Sequence, residues 1–262
     1  MEKIGEIKIT EAIIESYMKN LLEATETDVA IVGAGPAGMT SAYYLAKEGM
    51  KTVIFERKLC ISGGMCMWGS GMRFSRVIVQ EGGRRILNEF GVHVQKYEKG
   101  YWVADAVEAV ATIASKTIKA GARLFDMVSV EDVVIREGDK IGGLVLNWSS
   151  AGFTDLHIDP LTIRAKMIID ATGQDSEVFK VVSKKIGLKL KTGTEEVIKK
   201  KPKWAEGEKE ILENTKEVYP GLIVAGMAAN VVFGSPRIGQ LFGTLLVSGK
   251  KAAEIILEEV LR

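Results

Sequence analysis

This chain is poor in the side chains from which metal cages and covalent cross-links are built. Its 262 residues include two cysteines and two histidines. Two cysteines cannot brace a chain of this length, so disulfides do not organise the fold, and a reduced, cytoplasmic setting is expected. Imidazole can come only from His93 and His157, which excludes any site built on three histidines. A four-ligand zinc site would need Cys60, Cys66, His93 and His157 together, and Cys60-x5-Cys66 lacks the usual C-x2–4-C spacing. An excess of one charge is missing too. Lys+Arg 35 against Asp+Glu 34 leaves +1, so no global field draws the chain to nucleic acid or to an anionic membrane. Nor is there a long apolar run. The longest weakly polar stretch, Gly221 to Gly234, is too short to span a bilayer and contains Asn230. The opening residues MEKIGEIKIT are mixed in charge and lack the apolar segment of a secretory signal.

What is present is an ordinary globular composition, 47% hydrophobic and 26% charged. At roughly 150 residues per domain the length allows one or two domains. With no internal repeat and no linker, residues 1–262 read as a single dinucleotide-binding domain with an N-terminal helix. That helix spans Ile9 to Leu22, where apolar residues recur at helical spacing. A strand–helix–strand unit follows from Thr27 to Lys58, and residues 60–76 read as a loop. Ala104 to Ala120 is amphipathic. Residues 123–148 alternate as strands about a turn at 137–139, and Arg164 to Ala171 is a buried strand. A helix is expected from Ser176 to Ile186, a solvated loop over 198–209, a strand at Gly221 to Ala225 and a closing helix from Leu241 to Leu261. The pattern predicts an α/β, Rossmann-like fold of the two-motif flavoprotein type with an inserted β region.

Gly33-Ala-Gly35-Pro-Ala37-Gly38 matches G-x-G-x-x-G in its required setting, between a strand and a helix. Gly33 would make the tight turn, Gly35 would admit a pyrophosphate, and Gly38 would let helix and strand pack closely. The pyrophosphate would sit at the helix N-terminus. Glu56 ends the second strand, where a carboxylate accepts the hydroxyls of an adenosine ribose and repels a 2′-phosphate. Arg57 and Lys58 follow it and weaken that exclusion. Between NAD and FAD the sequence leans to NAD. Two-motif flavoproteins carry an Asp late in the fold against the flavin's ribitol phosphate, and Met227 stands in that place; no FAD is expected.

His157-Ile-Asp159-Pro160, Asp170-Ala-Thr-Gly-Gln174-Asp175 and Gly226-Met227 through Arg237-Ile-Gly239 complete a set with GAGPAG, Glu56-Arg57 and Ser62-Gly-Gly64. From about Ile9 to the C-terminus the chain resembles the adenylated-thiazole synthases of thiamine biosynthesis. The resemblance implies that NAD is a substrate. Its nicotinamide–ribose bond is cleaved, the ADP-ribose condenses with glycine, sulfur is added, and the ring closes to an ADP-linked thiazole carboxylate. It also implies that Ala37, Glu56, Arg57, Gly64, Val128, His157 and Met227 hold the dinucleotide, and that Arg237 clamps the glycine carboxylate through its planar guanidinium. Eukaryotic members spend a cysteine ahead of x-Asp-Pro as sulfur donor. His157 occupies that position here, which implies the branch that uses free sulfide and turns over repeatedly. That branch uses Fe(II) held by the Asp of this motif, here Asp159, and by a His where Gln174 stands; in this chain either Gln174 coordinates weakly or His157 serves instead as the nitrogen ligand beside Asp159. The glutamine leaves open a catalytically impaired NAD- or ADP-ribose-binding relative, and the shared topology leaves open an FAD-dependent oxidoreductase. The expected partners are NAD, glycine, sulfide and further copies of the chain, the family being octameric; no nucleic acid or membrane is expected.

Overall fold

A computed structural model describes residues 5–63, 75–136, 138–153, 158–187, 204–238 and 241–260. Helix α1 (Glu6–Ala24) precedes strand β1 (Glu26–Val32), helix α2 (Pro36–Lys47) and strand β2 (Thr52–Phe55). Then come β3 (Arg76–Val79), α3 (Glu81–Glu89), β4 (Val94–Glu98), β5 (Tyr101–Asp105) and α4 (Ala106–Lys119). Three strands follow, β6 (Arg123–Phe125), β7 (Val128–Arg136) and β8 (Lys140–Trp148), and then β9 (Leu161–Asp170). The chain ends with α5 (Glu177–Ile186), α6 (Trp204–Asn214), β10 (Lys216–Tyr219), β11 (Leu222–Val224), α7 (Met227–Val232) and α8 (Gly243–Val260).

The central sheet runs β10-β11-β9-β1-β2-β6, with β1 flanked in parallel by β2 and β9. β6 and β11 extend it in parallel, and β2, β11 and the second half of β1 are buried on both faces. The β7–β8 hairpin joins through Gly143–Leu146 pairing with the first residues of β9. This is the inserted β region, and it brings Val128 beside the end of β2, where Val128 N–H donates to Glu56 O at 3.0 Å. A second, antiparallel sheet, β3-β5-β4, was not legible in the sequence. Most β4 residues are exposed, so hydrophobic alternation leaves no trace there.

Helix α2 is buried nearly all round because α8 crosses it closely. A Cβ on Gly249 would stand 2.2 Å from Ala37 O, so only glycine allows that crossing. The amphipathic segment expected from Ala104 divides between β5 and α4, with Asp105 as N-cap accepting from Val107 N (2.8 Å) and Glu108 N (3.1 Å). The solvated loop expected over 198–209 is corrected in its second half. From Trp204 the chain is α6, with Gly207 and Glu208 buried, while 198–203 lie outside the described residues. Lysine-rich flanks hide the helix in the sequence. Among the described residues, no helix is long and apolar enough to cross a membrane.

Candidate active site

The carboxyl ends of β1, β2 and β9 open into a cleft of about 470 Å³, the switch-point position at which doubly wound sheets take ligands. Gly33, Gly35 and Ala37 line its floor. Gly33 has φ +101°, and a Cβ there would meet Ala171 O at 2.5 Å, so the turn accepts no side chain. Gly38 sits one step behind the wall, where a Cβ would fall 2.0 Å from Gly33 O. The turn thereby delivers the first N–H groups of α2 to the cleft, a cradle for a pyrophosphate.

Glu56 forms the next wall and is only 7% exposed. Ala34 N–H donates to one carboxylate oxygen at 2.8 Å and Lys58 N–H to the other at 2.9 Å. Backbone donors therefore fix the carboxylate, and each oxygen keeps a lone pair for a ribose hydroxyl. Arg57 also faces the cleft, but its guanidinium is engaged. Nη2 bonds Asp175 Oδ2 at 2.7 Å, and Nη1 bonds Glu177 Oε1. Burial pushes the Glu177 carboxyl up, Arg57 opposes this, and the charges of Asp170, Asp175 and Glu56 add to the rise.

The far wall is the turn after β9, residues Ala171–Asp175, which includes Gln174. Asp170 anchors it. Fully buried, its carboxylate accepts from Thr172 Oγ1 (2.6 Å), Thr172 N (3.0 Å) and Phe179 N (2.9 Å). Burial nonetheless pushes its pKa up from the ordinary value, against the pull of those bonds. Val128 and Met227 close the sides, together with Ile238, Phe242 and Leu245. Ile238 belongs to the late Arg237-Ile-Gly239 motif, whereas Phe242 and Leu245 carry no motif and could not be found by spacing. Arg237 adjoins Ile238 but is not itself among the lining residues. Its backbone is held by a buried amide network. Asn230 Nδ2 donates to Pro236 O (3.0 Å) and Gly207 O (2.7 Å), and Asn214 Nδ2 donates to Ser235 Oγ (2.9 Å).

The chain does not bring Asp159 and Gln174 together. Asp159 is exposed just before β9 and Gln174 lies just after it. Ten strand residues at about 3.3 Å each put the two ends roughly 30 Å apart. No group of three or more His, Cys, Asp or Glu side chains suited to a metal occurs among the described residues. Among the described residues, the donors of one chain do not come together as an Fe(II) site. His157, Gly64 and Cys66 lie outside the described residues. His93 is far from this chemistry, at the surface with Nδ1 2.6 Å from Glu108 Oε1.

The sequence profile of the Thi4 family matches residues 10–242. The chain belongs to the Thi4 family. The thiamine thiazole synthase of Methanothermobacter thermautotrophicus is 52% identical over 259 residues, covering 98% of this chain and 99% of that protein. Its counterpart from Pyrococcus abyssi is 52% identical over 258 residues, with 98% and 99% covered. The crystal structure of Thermovibrio ammonificans THI4 superposes with a TM-score of 0.94 at 47% identity, covering 100% of each chain. A geranylgeranyl bacteriochlorophyll reductase-like protein from Thermoplasma acidophilum (TM-score 0.60, 19% identity, 90% and 79% covered) shares the fold alone. The chain thus has the mixed, mainly parallel Rossmann-like α/β fold that the glycine turn and β insertion predict.

Proposed function

We propose that this Thi4 chain is a thiamine thiazole synthase that converts NAD, glycine and free sulfide to an ADP-linked thiazole carboxylate, releasing nicotinamide and turning over repeatedly. One observation carries the reading. The cleft joins the N-terminus of α2 to the fixed Glu56 carboxylate, a spacing suited to the diphosphate and ribose of an adenine dinucleotide. In this reading the first turn of α2 takes the pyrophosphate and Glu56 accepts the adenosine ribose hydroxyls. Val128 and Met227 cover the same ligand, and the apolar wall of Ile238, Phe242 and Leu245 excludes water from its reacting end. Arg237 receives the glycine carboxylate, its backbone steadied through Asn230 and Pro236. Sulfur comes from solution, because residue 157, ahead of Ile158-Asp159-Pro160, is histidine and offers no thiol. An iron shared by Asp159 and residue 174 would require two chains.

A homo-oligomer fits that requirement, and α1 supports it. Ile7, Ile13, Ile14 and Leu22 are all more than half exposed on this helix, an apolar stripe that a lone chain leaves in water. The deciding experiment is anaerobic incubation with NAD, glycine, sulfide and Fe(II), followed by mass analysis. The expected outcome is nicotinamide release and an ADP-linked thiazole whose yield follows added sulfide. No nicotinamide release, or a thiazole formed without sulfide at the cost of protein sulfur, overturns the proposal.

A further inference from the structure

The dinucleotide reading leaves Arg57 and Lys58 as an apparent flaw, since two cations beside the ribose carboxylate invite a 2′-phosphate. The fold answers it with Asp175, the last residue of the Asp170–Asp175 motif, and Glu177, which no motif marks. Asp175 ends the turn after β9 and Glu177 begins α5, yet both reach across the cleft mouth to the Arg57 guanidinium. Their placement is built rather than incidental. Glu177 N–H donates to Thr172 Oγ1 at 2.8 Å, and Thr172 Oγ1 donates in turn to the buried Asp170. Arg57, Asp175 and Glu177 all line the cleft, and the Glu177 carboxylate lies within the field of Glu56 and Asp170.

We infer that Asp175 and Glu177 are specificity-determining residues that select the 2′-hydroxyl dinucleotide by occupying Arg57 and adding negative charge beside Glu56. The inference rests on the adenine-dinucleotide reading of the cleft. A 2′-phosphate arriving beside Glu56 meets three carboxylates and a guanidinium whose two terminal nitrogens are already bonded. Without Asp175 and Glu177 the same guanidinium presents a free fork, the geometry that grips phosphate in two parallel hydrogen bonds. The ion pairs are partly exposed, with the Arg57 side chain at 41%, so they add little to stability and can be removed without dismantling the fold.

The test is calorimetric binding of ADP-ribose and of 2′-phospho-ADP-ribose to the full chain, read as the ratio of the two affinities. Wild type is expected to favour ADP-ribose by at least about tenfold. The double variant Asp175→Asn/Glu177→Gln should shrink that ratio by roughly tenfold or more, the worth of one hydrogen bond to a charged group. Adding Arg57→Ala to the double variant should erase the gain. A ratio unchanged in the double variant, or a gain that survives Arg57→Ala, overturns the inference while leaving the dinucleotide reading intact. Failure of wild type to bind ADP-ribose at all instead removes the reading beneath it. If the double variant has no cooperative melt, Asp175→Asn alone decides, with a smaller shift expected in the same direction and no shift counting against.

Discussion

Replacing Glu56 by Gln separates what this residue does for the ligand from what it does for the chain. The carboxylate is 7% exposed and accepts from Ala34 N–H at 2.8 Å and Lys58 N–H at 2.9 Å. A glutamine amide has one oxygen. It will be kept for Ala34, which is fully buried, while the exposed Lys58 can turn its N–H to water. The unliganded chain should therefore lose only about 1 kcal/mol, the net worth of one hydrogen bond. In a chain of this size that lowers the melting temperature by roughly 2–4 °C. Binding should suffer more. The NH2 group faces the ribose with a donor where an acceptor is needed, and loss of a charge-assisted bond weakens ADP-ribose by about 10- to 100-fold. Glu56→Ala orphans the buried Ala34 N–H as well and should cost about 1–3 kcal/mol in stability. Isothermal titration with ADP-ribose and thermal melts of the apo chains measure the two effects separately. If Glu56→Gln binds ADP-ribose within twofold of wild type, the assignment of Glu56 to the ribose is wrong.

Three further outcomes are expected. Glu208 is buried, with Gln80 Nε2 donating to one carboxylate oxygen at 2.6 Å and the other oxygen unpartnered among the described residues. Burial raises its pKa, so the folded chain holds this proton more tightly than the unfolded chain, and stability falls as pH rises through the raised value. Glu208→Gln cannot ionise, so its melting temperature should exceed that of wild type by a margin that grows as pH rises from the ordinary carboxylate range; parallel curves would refute this. Asn230→Ala removes the donor to Gly207 O and Pro236 O inside the core, and should cost at least about 2 kcal/mol in urea unfolding while raising the glycine KM through a loosened Arg237. An unchanged KM would detach Arg237 from glycine. Ile13→Lys/Ile14→Lys, on the outward face of α1, should lower the assembly mass seen by light scattering without altering the melt of the chain itself; an assembly of wild-type mass would place the contact elsewhere.

The parts legible in the sequence are those whose cause is local. Gly33, Gly35 and Gly38 announce the β1–α2 turn because steric exclusion at 2.0–2.5 Å leaves no other residue possible at the first and third positions. Glu56 is legible because a strand of four buried residues must end there. Helix α1 was visible from its period, but not its orientation. The same stripe that in most helices marks the core faces outward here, and periodicity carries no sign. What escaped depends on distant partners. Arg57 meets Asp175 and Glu177 across 118 and 120 residues, so nothing near Arg57 shows that its charge is engaged. Phe242 and Leu245 reach the cleft only because α8 crosses α2 at Gly249, a contact visible as an ordinary glycine in a helical pattern. Asp159 and Gln174 are near in sequence and suggest one site, but a ten-residue strand between them enforces the opposite.

That strand also divides the labour of the fold. β9 carries the buried Asp170 at its carboxyl end, where the parallel sheet converges on the cleft, and meets the β7–β8 hairpin at its amino end. The groups placed around the cleft come from strand ends, the turn after β9, the helices packed above and the segments at Gly63, Ile238 and Phe242. A parallel sheet can supply a dinucleotide cradle in this way from one chain. It cannot supply the segment before β9 to the same cleft, since extended backbone does not fold back across its own length. Any chemistry that needs both Asp159 and the turn at Gln174 must therefore bring the amino end of one β9 to the carboxyl end of another. The oligomer proposed above, with the outward apolar stripe of α1 as its contact, would have to meet that condition.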